Sequence, residues 1–223
     1  MSSDFGDTTP QTYDQEASAL CSLGHQPLIM TGIFVQLLRQ HFADRQNIAD
    51  ATLRAQERGA SGNFVWTDSP TNTGLLIESA ALFDPKQAEQ RPGVYVRRNS
   101  WQPRKIGINN QVLGRPLVSG HLLYTVLMLG SHTIFCVGSA SAETEKLGYE
   151  VALELLTAGP ILRQELYLNQ FAVAEIGGIG KIKEASDNFV VPITVSYAFE
   201  HTWQMNQHVP VLRTIDMQPA TQL

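Results

Sequence analysis

Apolar residues recur with a helical period over residues 29–43, which predicts an amphipathic helix. Pro27 lies near the expected start, where a proline is tolerated because the first N–H groups of a helix have no partner within it. The apolar stripe consists of Ile29, Ile33, Leu37 and Phe42, with Phe34 and Leu38 beside it. Polar residues occupy the opposite side, so we expect one face of this helix to be buried.

A second helix is predicted over residues 142–158. Glu143 falls in its first turn, where the helix dipole favours an acidic side chain. We expect Ser141 to cap the N-terminus and Gly159-Pro160 to end the helix. The apolar face consists of Leu147, Val151 and Leu155, spaced four residues apart.

Alternating apolar and polar residues predict strands in the other apolar parts of the chain. The clearest strand is the closing one, residues 189–203, and its partner is expected at 166–176. Short β-branched runs at 75–77 and 94–96 predict two more strands. Turn residues separate these two runs, since Asp84-Pro85 and a Pro-Gly pair lie between them.

A hairpin is predicted from a strand at 117–129 and a returning strand at 132–137, with Gly130-Ser131 as the tight turn. The order of elements is then helix, strands, hairpin, helix and closing hairpin. This order predicts an α+β fold, a mostly antiparallel sheet with two helices packed on one face.

The two ends of the chain lack a core-forming pattern. We expect residues 1–28 to be an N-terminal arm, 29–203 to be the α+β domain and 204–223 to be a C-terminal extension. The arm contains no Lys or Arg. Its acidic residues are Asp4, Asp7, Asp14 and Glu16. Because all of these charges are negative, we expect the arm to become ordered when it binds a partner.

Composition favours a protein that is covered in part by other subunits. The chain has 223 residues, 43% of them hydrophobic, which is enough for a real core. Only 17% are charged, below the roughly 25% of an average globular protein. The net charge of −5 argues against a general nucleic-acid coat.

No membrane segment is expected. The longest apolar stretch, residues 122–129, is eight residues long, whereas a spanning helix needs about 20. The first residues carry Asp4 and Asp7 and no apolar core, which is unlike a secretory signal.

The motifs that would indicate catalysis lack the residues that such motifs require at fixed spacings. The glycine-rich run from Gly177 to Lys181 is not a phosphate loop. It lacks the Gly that such a loop has well ahead of its Gly-Lys pair and the Ser or Thr that follows the Lys, and it precedes a polar turn. Ser139 and Ser141 lack the flanking glycines of a nucleophile elbow. The six histidines and two cysteines show no metal-ligand spacing, and Cys136 is expected to be a buried thiol. We therefore expect no enzyme activity, no cofactor and no metal.

One segment is strongly basic. Residues 86–115 contain seven basic side chains and one acidic one. Arg97, Arg98, Arg104 and Lys105 are the candidates for contact with an acidic partner or with DNA phosphates. A solvated basic edge without a partner is the alternative. Since Arg97 and Arg98 are adjacent on a predicted strand, they should face opposite sides of the sheet.

The order of elements resembles the tail terminator, or tail-completion, proteins of tailed bacteriophages. The resemblance covers about residues 29–203 and is one of pattern and topology. It lies in the early helix at 31–39, the basic-flanked strand at 91–98, the helix at 142–158 and the closing strand at 189–203. The loop at 44–73 and the two terminal arms depart from the smaller members of that group.

The resemblance implies a structural virion protein that assembles in the host cytoplasm. It would form a homohexameric ring at the head–tail junction, cap the tail tube and meet a neck or head-completion protein. DNA passing through the channel would touch its lining. Alternatives are another head–tail adaptor, neck or baseplate component or, in a different class, a small α+β enzyme or ligand-binding domain.

Overall fold

The computed structural model describes residues 27–55, 64–69, 73–84, 91–105, 112–114, 122–182 and 185–205. Almost all of the predicted arm and extension therefore lies outside the described residues. In chain order the elements are α1 (Pro27–Ala43), α2 (Ala51–Ala55), β1 (Leu76–Ser79), β2 (Gly93–Arg98), β3 (Gln102–Arg104), β4 (Val112–Gly114), β5 (Leu122–Gly138), α3 (Ser141–Glu165), β6 (Gln170–Ile176), β7 (Gly180–Ile182) and β8 (Ala185–Met205).

The strands form one mixed sheet in the order β1-β2-β5-β8-β6, with β3 and β4 paired to β5 and β7 paired to β8. Only β1 and β2 are parallel among these pairs. Helices α1 and α3 pack on one face, where their apolar side chains meet those of β2, β5 and β8. The protein is α+β, as the order of elements predicts.

The buried face of helix α1 includes the predicted Phe34, Leu38 and Phe42, but it is rotated away from the predicted Ile33 and Leu37. Met30, Phe34, Leu38 and Phe42 are fully buried, whereas the predicted Ile33 and Leu37 are only partly covered. The helix turns by about 100° per residue, so a shift of one position turns the buried face by that angle. Both sets are apolar at helical spacing, and the position of the sheet decides which one is buried.

Helix α3 does not end at Gly159-Pro160 as predicted but continues to Glu165. Proline has no N–H to donate to the carbonyl of Leu156, four residues earlier. Pro160 is exposed, so this carbonyl lies on the solvent side of the helix. Gly159 lies against β6, where an added Cβ would be 3.3 Å from the ring of Phe171. Buried Leu162 anchors the turn after the proline.

The predicted cap of α3 is also wrong. Ala140, not Ser141, occupies the N-cap position, and its side chain makes no capping bond. The hydroxyl of Thr144 donates instead to the carbonyl of Ala140 at 2.8 Å.

The predicted hairpin at Gly130-Ser131 is wrong, because β5 runs without a turn from Leu122 to Gly138. Gly130 lies opposite Tyr197 on β8, and a Cβ at this position would clash with the Tyr197 ring. The glycine therefore makes room for an aromatic ring within a sheet, one of the uses that glycine has inside strands.

The core lies between the sheet and its two long helices. The predicted apolar face of α3 is buried at Leu147, Val151 and Leu155, and Ile193 and Val195 of β8 are buried with it. A smaller cluster on the other face of the sheet centres on Tyr95 and Val137.

Candidate functional site

The four predicted contact residues, Arg97, Arg98, Arg104 and Lys105, are all exposed, and we call them the basic surface. The two β2 residues face opposite sides of the sheet. Arg98 lies across from buried His132, whereas Arg97 lies across from Thr133. The guanidinium carbon of Arg97 lies 4.7 Å from the ring centroid of Phe135, a cation–π contact.

The basic surface is divided into two pairs along β5. Arg98 pairs with His132 and Arg104 with Leu127, which are five residues apart on that strand. Five strand residues span about 17 Å. Within the described residues no carboxylate forms a salt bridge with any of the four side chains. The basic surface is therefore not one continuous patch, since Arg97 and Arg98 also face opposite sides of the sheet.

A cavity of about 560 Å³ lies where α1 begins and β2 ends. Arg97 and Arg98 line one side of it, and Pro27, Leu28 and Thr31 line the other. Leu28 is 82% exposed. The first turn of α1 contains no acidic side chain. The start of the helix thus lies beside Arg97 and Arg98.

A second surface is an apolar groove of about 590 Å³ between the C-terminal half of α3 and the edge strand β6. Leu156, Gly159, Tyr167 and Phe171 line it. Leu156 is 56% exposed and Tyr167 is 71% exposed. Exposed large apolar side chains beside a groove mark surfaces that other molecules cover.

Tyr167 holds an uncommon backbone conformation, with φ at 51°. It follows the C-cap of α3 in a Schellman arrangement, since its N–H donates to the Gln164 carbonyl and that of Leu168 to the Arg163 carbonyl. Glycine is favoured at this position, and a bulky residue is strained there by about 1–2 kcal/mol. The Tyr167 ring lies exposed beside the groove at this cost in backbone strain.

The two edges of the sheet differ in how well they are covered. At β1 the Arg39 side chain donates to the Ile77 carbonyl at 3.1 Å, and the Val65 carbonyl accepts from Gly74 and Leu75. Within the described part of the chain β6 pairs with β8 alone, and no comparable side chain covers its outer edge. An uncovered edge strand can pair with another chain.

A buried polar network links α1 to the sheet. His132 is fully buried. Its Nε2 lies 2.9 Å from the Thr31 hydroxyl, and its Nδ1 lies 3.0 Å from the Tyr197 hydroxyl. Burial, together with the nearby Arg98 charge, lowers the pKa of His132 to about 4. The ring is therefore neutral at physiological pH and acts as a structural histidine.

The second polar cluster joins α1, α3 and the segment before α2. His41 contacts Glu150 at 3.0 Å and Glu154 at 2.9 Å, one through each ring nitrogen. Buried Glu150 also accepts the backbone N–H groups of Ala49 and Asp50. Each carboxylate accepts, so both histidine contacts are made when both ring nitrogens carry hydrogen. The cluster holds the segment before α2 against α3.

The remaining pKa shifts arise in the core or in a helix cap. Burial raises the pKa of Tyr95 to about 12 and raises the pKa values of Cys136 and Tyr197. The Leu53 backbone N–H lowers the pKa of Asp50, which caps α2. None of these groups lines the three cavities of about 590, 560 and 470 Å³.

The sequence identified the basic surface but not the groove or the histidine cluster. Glu150 and Glu154 are four residues apart, which places both carboxylates on one face of a helix and was a usable signal. Their partner His41 is 109 residues away from Glu150, and no local pattern links the two. Nothing in the sequence marks the backbone conformation of Tyr167.

Among the described residues no group of three His, Cys, Asp or Glu side chains could hold a metal ion. No described helix is both long enough and apolar enough to cross a membrane. Searches of protein-family models and of curated protein sequences give no match to this chain.

Proposed function

We propose that the protein is a structural subunit of a ring at the head–tail junction of a tailed bacteriophage, without enzymatic activity. The ring, a homohexamer, caps the tail tube and meets a neck or head-completion protein. The resemblance described above motivates the phage assignment, and the α+β fold agrees with it.

The proposed self-association rests mainly on the strained and exposed position of Tyr167. Strain held in a folded chain is retained only where something compensates for it, and such positions cluster at functional sites. This strained residue has an aromatic ring that is 71% exposed and lies beside an apolar groove and the edge strand β6. Buried tyrosines dominate the binding energy of many protein interfaces.

The difference between the two sheet edges supports a ring over a two-fold dimer. The β6 edge has the groove, whereas the β1 edge is covered by Arg39 and has exposed Leu82 near its end. Contacts between unlike surfaces are head to tail, and a head-to-tail contact closes into a ring when the rotation permits it.

In this proposal the basic surface contacts acidic groups of a neighbouring subunit or neck protein, or the phosphates of passing DNA. We favour the protein contact, because a chain of net charge −5 offers acids to its neighbours. Replacing Arg104 and Lys105 by Gln separates the two uses. If they are interfacial, the ring dissociates, and more so as salt rises. If they line the channel, the ring persists and DNA retention falls.

Mass photometry and electron microscopy of the purified chain test the ring directly. The expected result is a closed particle with a channel and about six times the 24.6 kDa subunit mass. The Tyr167→Gly variant should lose assembly while its melting temperature stays the same or rises, since glycine relieves the strain.

Tyr149→Ala is the matched control. It removes an exposed tyrosine of α3 that does not line the groove, so it should assemble normally. A monomeric wild type at micromolar concentration would refute the ring, and a Tyr167→Gly protein that assembles like the wild type would remove Tyr167 from the interface.

A further inference from the structure

The outer face of the sheet, which is the face opposite α1 and α3, carries two residues of the basic surface. Arg97 contacts the ring of Phe135, and Phe135 packs on the smaller hydrophobic cluster of this face. Arg104 lies across from Leu127 on β5. Leu127 shares a face with Phe135, because the two are an even number of residues apart on one strand. Arg97 and Arg104 therefore lie on the same side of the sheet.

Each of these two arginines begins a row of paired residues that ends in a glutamate on another strand. The first row crosses β2, β5, β8 and β6 and consists of Arg97, Thr133, Thr194 and Glu175. The second row crosses β3, β5 and β8 and consists of Arg104, Leu127 and Glu200. Directly paired residues lie on the same face of a sheet. The outer face thus has a basic margin at β2 and β3 and an acidic margin at β8 and β6.

Glu175 lies on this face because β6 is irregular. β6 has one extra residue, relative to β8, between Val173 and Glu175. In a regular strand Glu175 would lie opposite Ile193, on the face of α1 and α3, whereas the extra residue moves it opposite Thr194. Bulges that re-aim a side chain in this way occur preferentially at sheet edges and beside functional sites.

The charged ends of both rows are free to meet another molecule. All four side chains are exposed, and within the part of the chain that the structure describes none of them forms a salt bridge. Between the rows, β8 and β5 present Ser196, Ala198, Ser131 and Leu129 to the outer face. Three of these side chains are short, so a second sheet can approach the middle of the face while arginine and glutamate reach across at the margins.

The two rows fit a two-fold contact between two copies of the chain. They are six residues apart along β5, or about 20 Å. The first row has its midpoint between β5 and β8, and the second has its midpoint on β5. Since neighbouring strands are about 4.8 Å apart, one two-fold axis along the strands passes within about 3 Å of both midpoints. Rotation about this axis turns the second copy over and places its acidic margin against the basic margin of the first.

We propose that the outer face binds a second copy of this chain through a two-fold contact, in which Arg97 of each copy binds Glu175 of the other and Arg104 binds Glu200. In a two-fold contact every pair occurs twice, so the two rows give two pairs of each kind. Exposed ion pairs are individually weak, and their role here is to fix the orientation of the two faces. DNA fits this face less well, because the acidic margin repels phosphates.

This contact uses a different surface from the proposed ring, whose groove lies on the α3 side of β6. It rests on the proposed function only in giving Arg104, a residue of the basic surface, an acidic partner, and it does not require the ring. Both contacts can be present together, in which case the outer faces join subunits of two rings.

Sedimentation velocity of the Tyr167→Gly variant tests the outer face separately from the ring, because this variant lacks the residue on which the ring contact mainly rests. We expect a dimer, with twice the 24.6 kDa subunit mass, at low salt. The dimer should dissociate at about 1 M NaCl, where the screening length is short. A protein that stays monomeric at micromolar concentration and low salt would overturn the proposal.

Charge reversal tests the pairing itself. Arg97→Glu/Arg104→Glu makes all four ends of the rows acidic, and Glu175→Arg/Glu200→Arg makes all four basic. Each variant alone should dimerise at least about tenfold more weakly, because like charges then face each other. An equimolar mixture of the two should dimerise again, since every pair is then opposite in charge. If the mixture fails to dimerise although both variants keep the parent melting temperature, the proposal is wrong.

Arg98→Glu is the matched control. It makes the same charge change one residue further along β2, but on the opposite side of the sheet, so its dimerisation should equal that of the parent. Equal weakening by Arg98→Glu and Arg97→Glu would show an effect of net charge rather than of the pairing, and would contradict the proposal.

Two further outcomes identify other occupants of the face. If Arg97→Glu/Arg104→Glu loses binding to a DNA duplex of about 20 base pairs while its self-association is unchanged, the face serves DNA and the proposal is overturned. A wild-type ring whose mass at low salt does not respond to the charge reversals would refute this contact and leave the ring. Salt-sensitive dimers without any larger particle would refute the ring and support this contact.

Discussion

Acid should destabilise this protein through His132, and the structure gives the size of the effect. The neutral ring fits its two partners. The Thr31 hydroxyl lies 3.0 Å from the Pro27 carbonyl and donates to it, which leaves its oxygen to accept from Nε2–H. The Tyr197 hydroxyl then donates to Nδ1, at 3.0 Å. A protonated ring has no lone pair for that bond, and it would place a charge in the core beside Arg98.

The magnitude follows from proton linkage. In the unfolded chain a histidine has a pKa near 6.5, whereas the pKa of folded His132 is about 4. The unfolded state therefore binds a proton in a range where the folded state does not. Stability is fully present above pH 6.5 or so and falls as the pH drops towards 4, by about 3 kcal/mol in total.

Urea denaturation between pH 7.5 and pH 4 measures this loss against a variant that lacks the group. His132→Gln keeps an amide donor and an amide acceptor near the same partners but does not titrate. The free energy of unfolding of the wild type should fall by about 3 kcal/mol more than that of His132→Gln over this range.

Parallel pH curves for the wild type and His132→Gln would refute the reasoning, because they would show that His132 titrates alike in the folded and unfolded states. A nuclear magnetic resonance titration in which the His132 ring protonates near pH 6.5 would contradict it independently.

Three further substitutions, two of them with a control variant, test the packing and the hydrogen bonds of Glu150. Val195→Asp puts an unpaired charge at a fully buried position and should lower the free energy of unfolding by several kcal/mol, seen as a large fall in melting temperature. Gly130→Ala should cost about 1–3 kcal/mol in urea denaturation, because its Cβ meets an aromatic ring, whereas Gly178→Ala, with open space around it, should cost far less. Glu150→Gln places an amide donor against a backbone N–H and should lower the free energy of unfolding by about 1–3 kcal/mol. Glu154→Gln is the control and should cost less, since the described contact of Glu154 is with His41. Equal losses would show that the backbone contacts of Glu150 contribute little.

The sequence determined the parts of the fold that depend on local periodicity. The two helices, the closing strand and its partner were predictable because a buried face requires apolar residues at the spacing of the element. The same reasoning placed Arg97 and Arg98 on opposite faces of β2, since neighbouring strand residues always alternate.

Only the tertiary structure decided whether Gly130 forms a turn and whether Gly159-Pro160 ends a helix. Gly130 reads as a turn, yet it lies within β5 because the ring of Tyr197 packs over it. Gly159-Pro160 reads as a helix end, yet α3 continues because Leu162 is buried beyond it. Local propensities are worth about 1–3 kcal/mol, and burial of side chains in one turn of a helix can exceed that.

The candidate surfaces also differ in whether the sequence alone could indicate them. Clustered charge is visible in the composition of residues 86–115, so the sequence alone identified the basic surface. The groove beside β6 depends on α3 lying against an edge strand, and the His41 cluster joins residues 109 positions apart. Such contacts leave no periodic trace in the sequence, because they form only when packing on the sheet brings distant elements together.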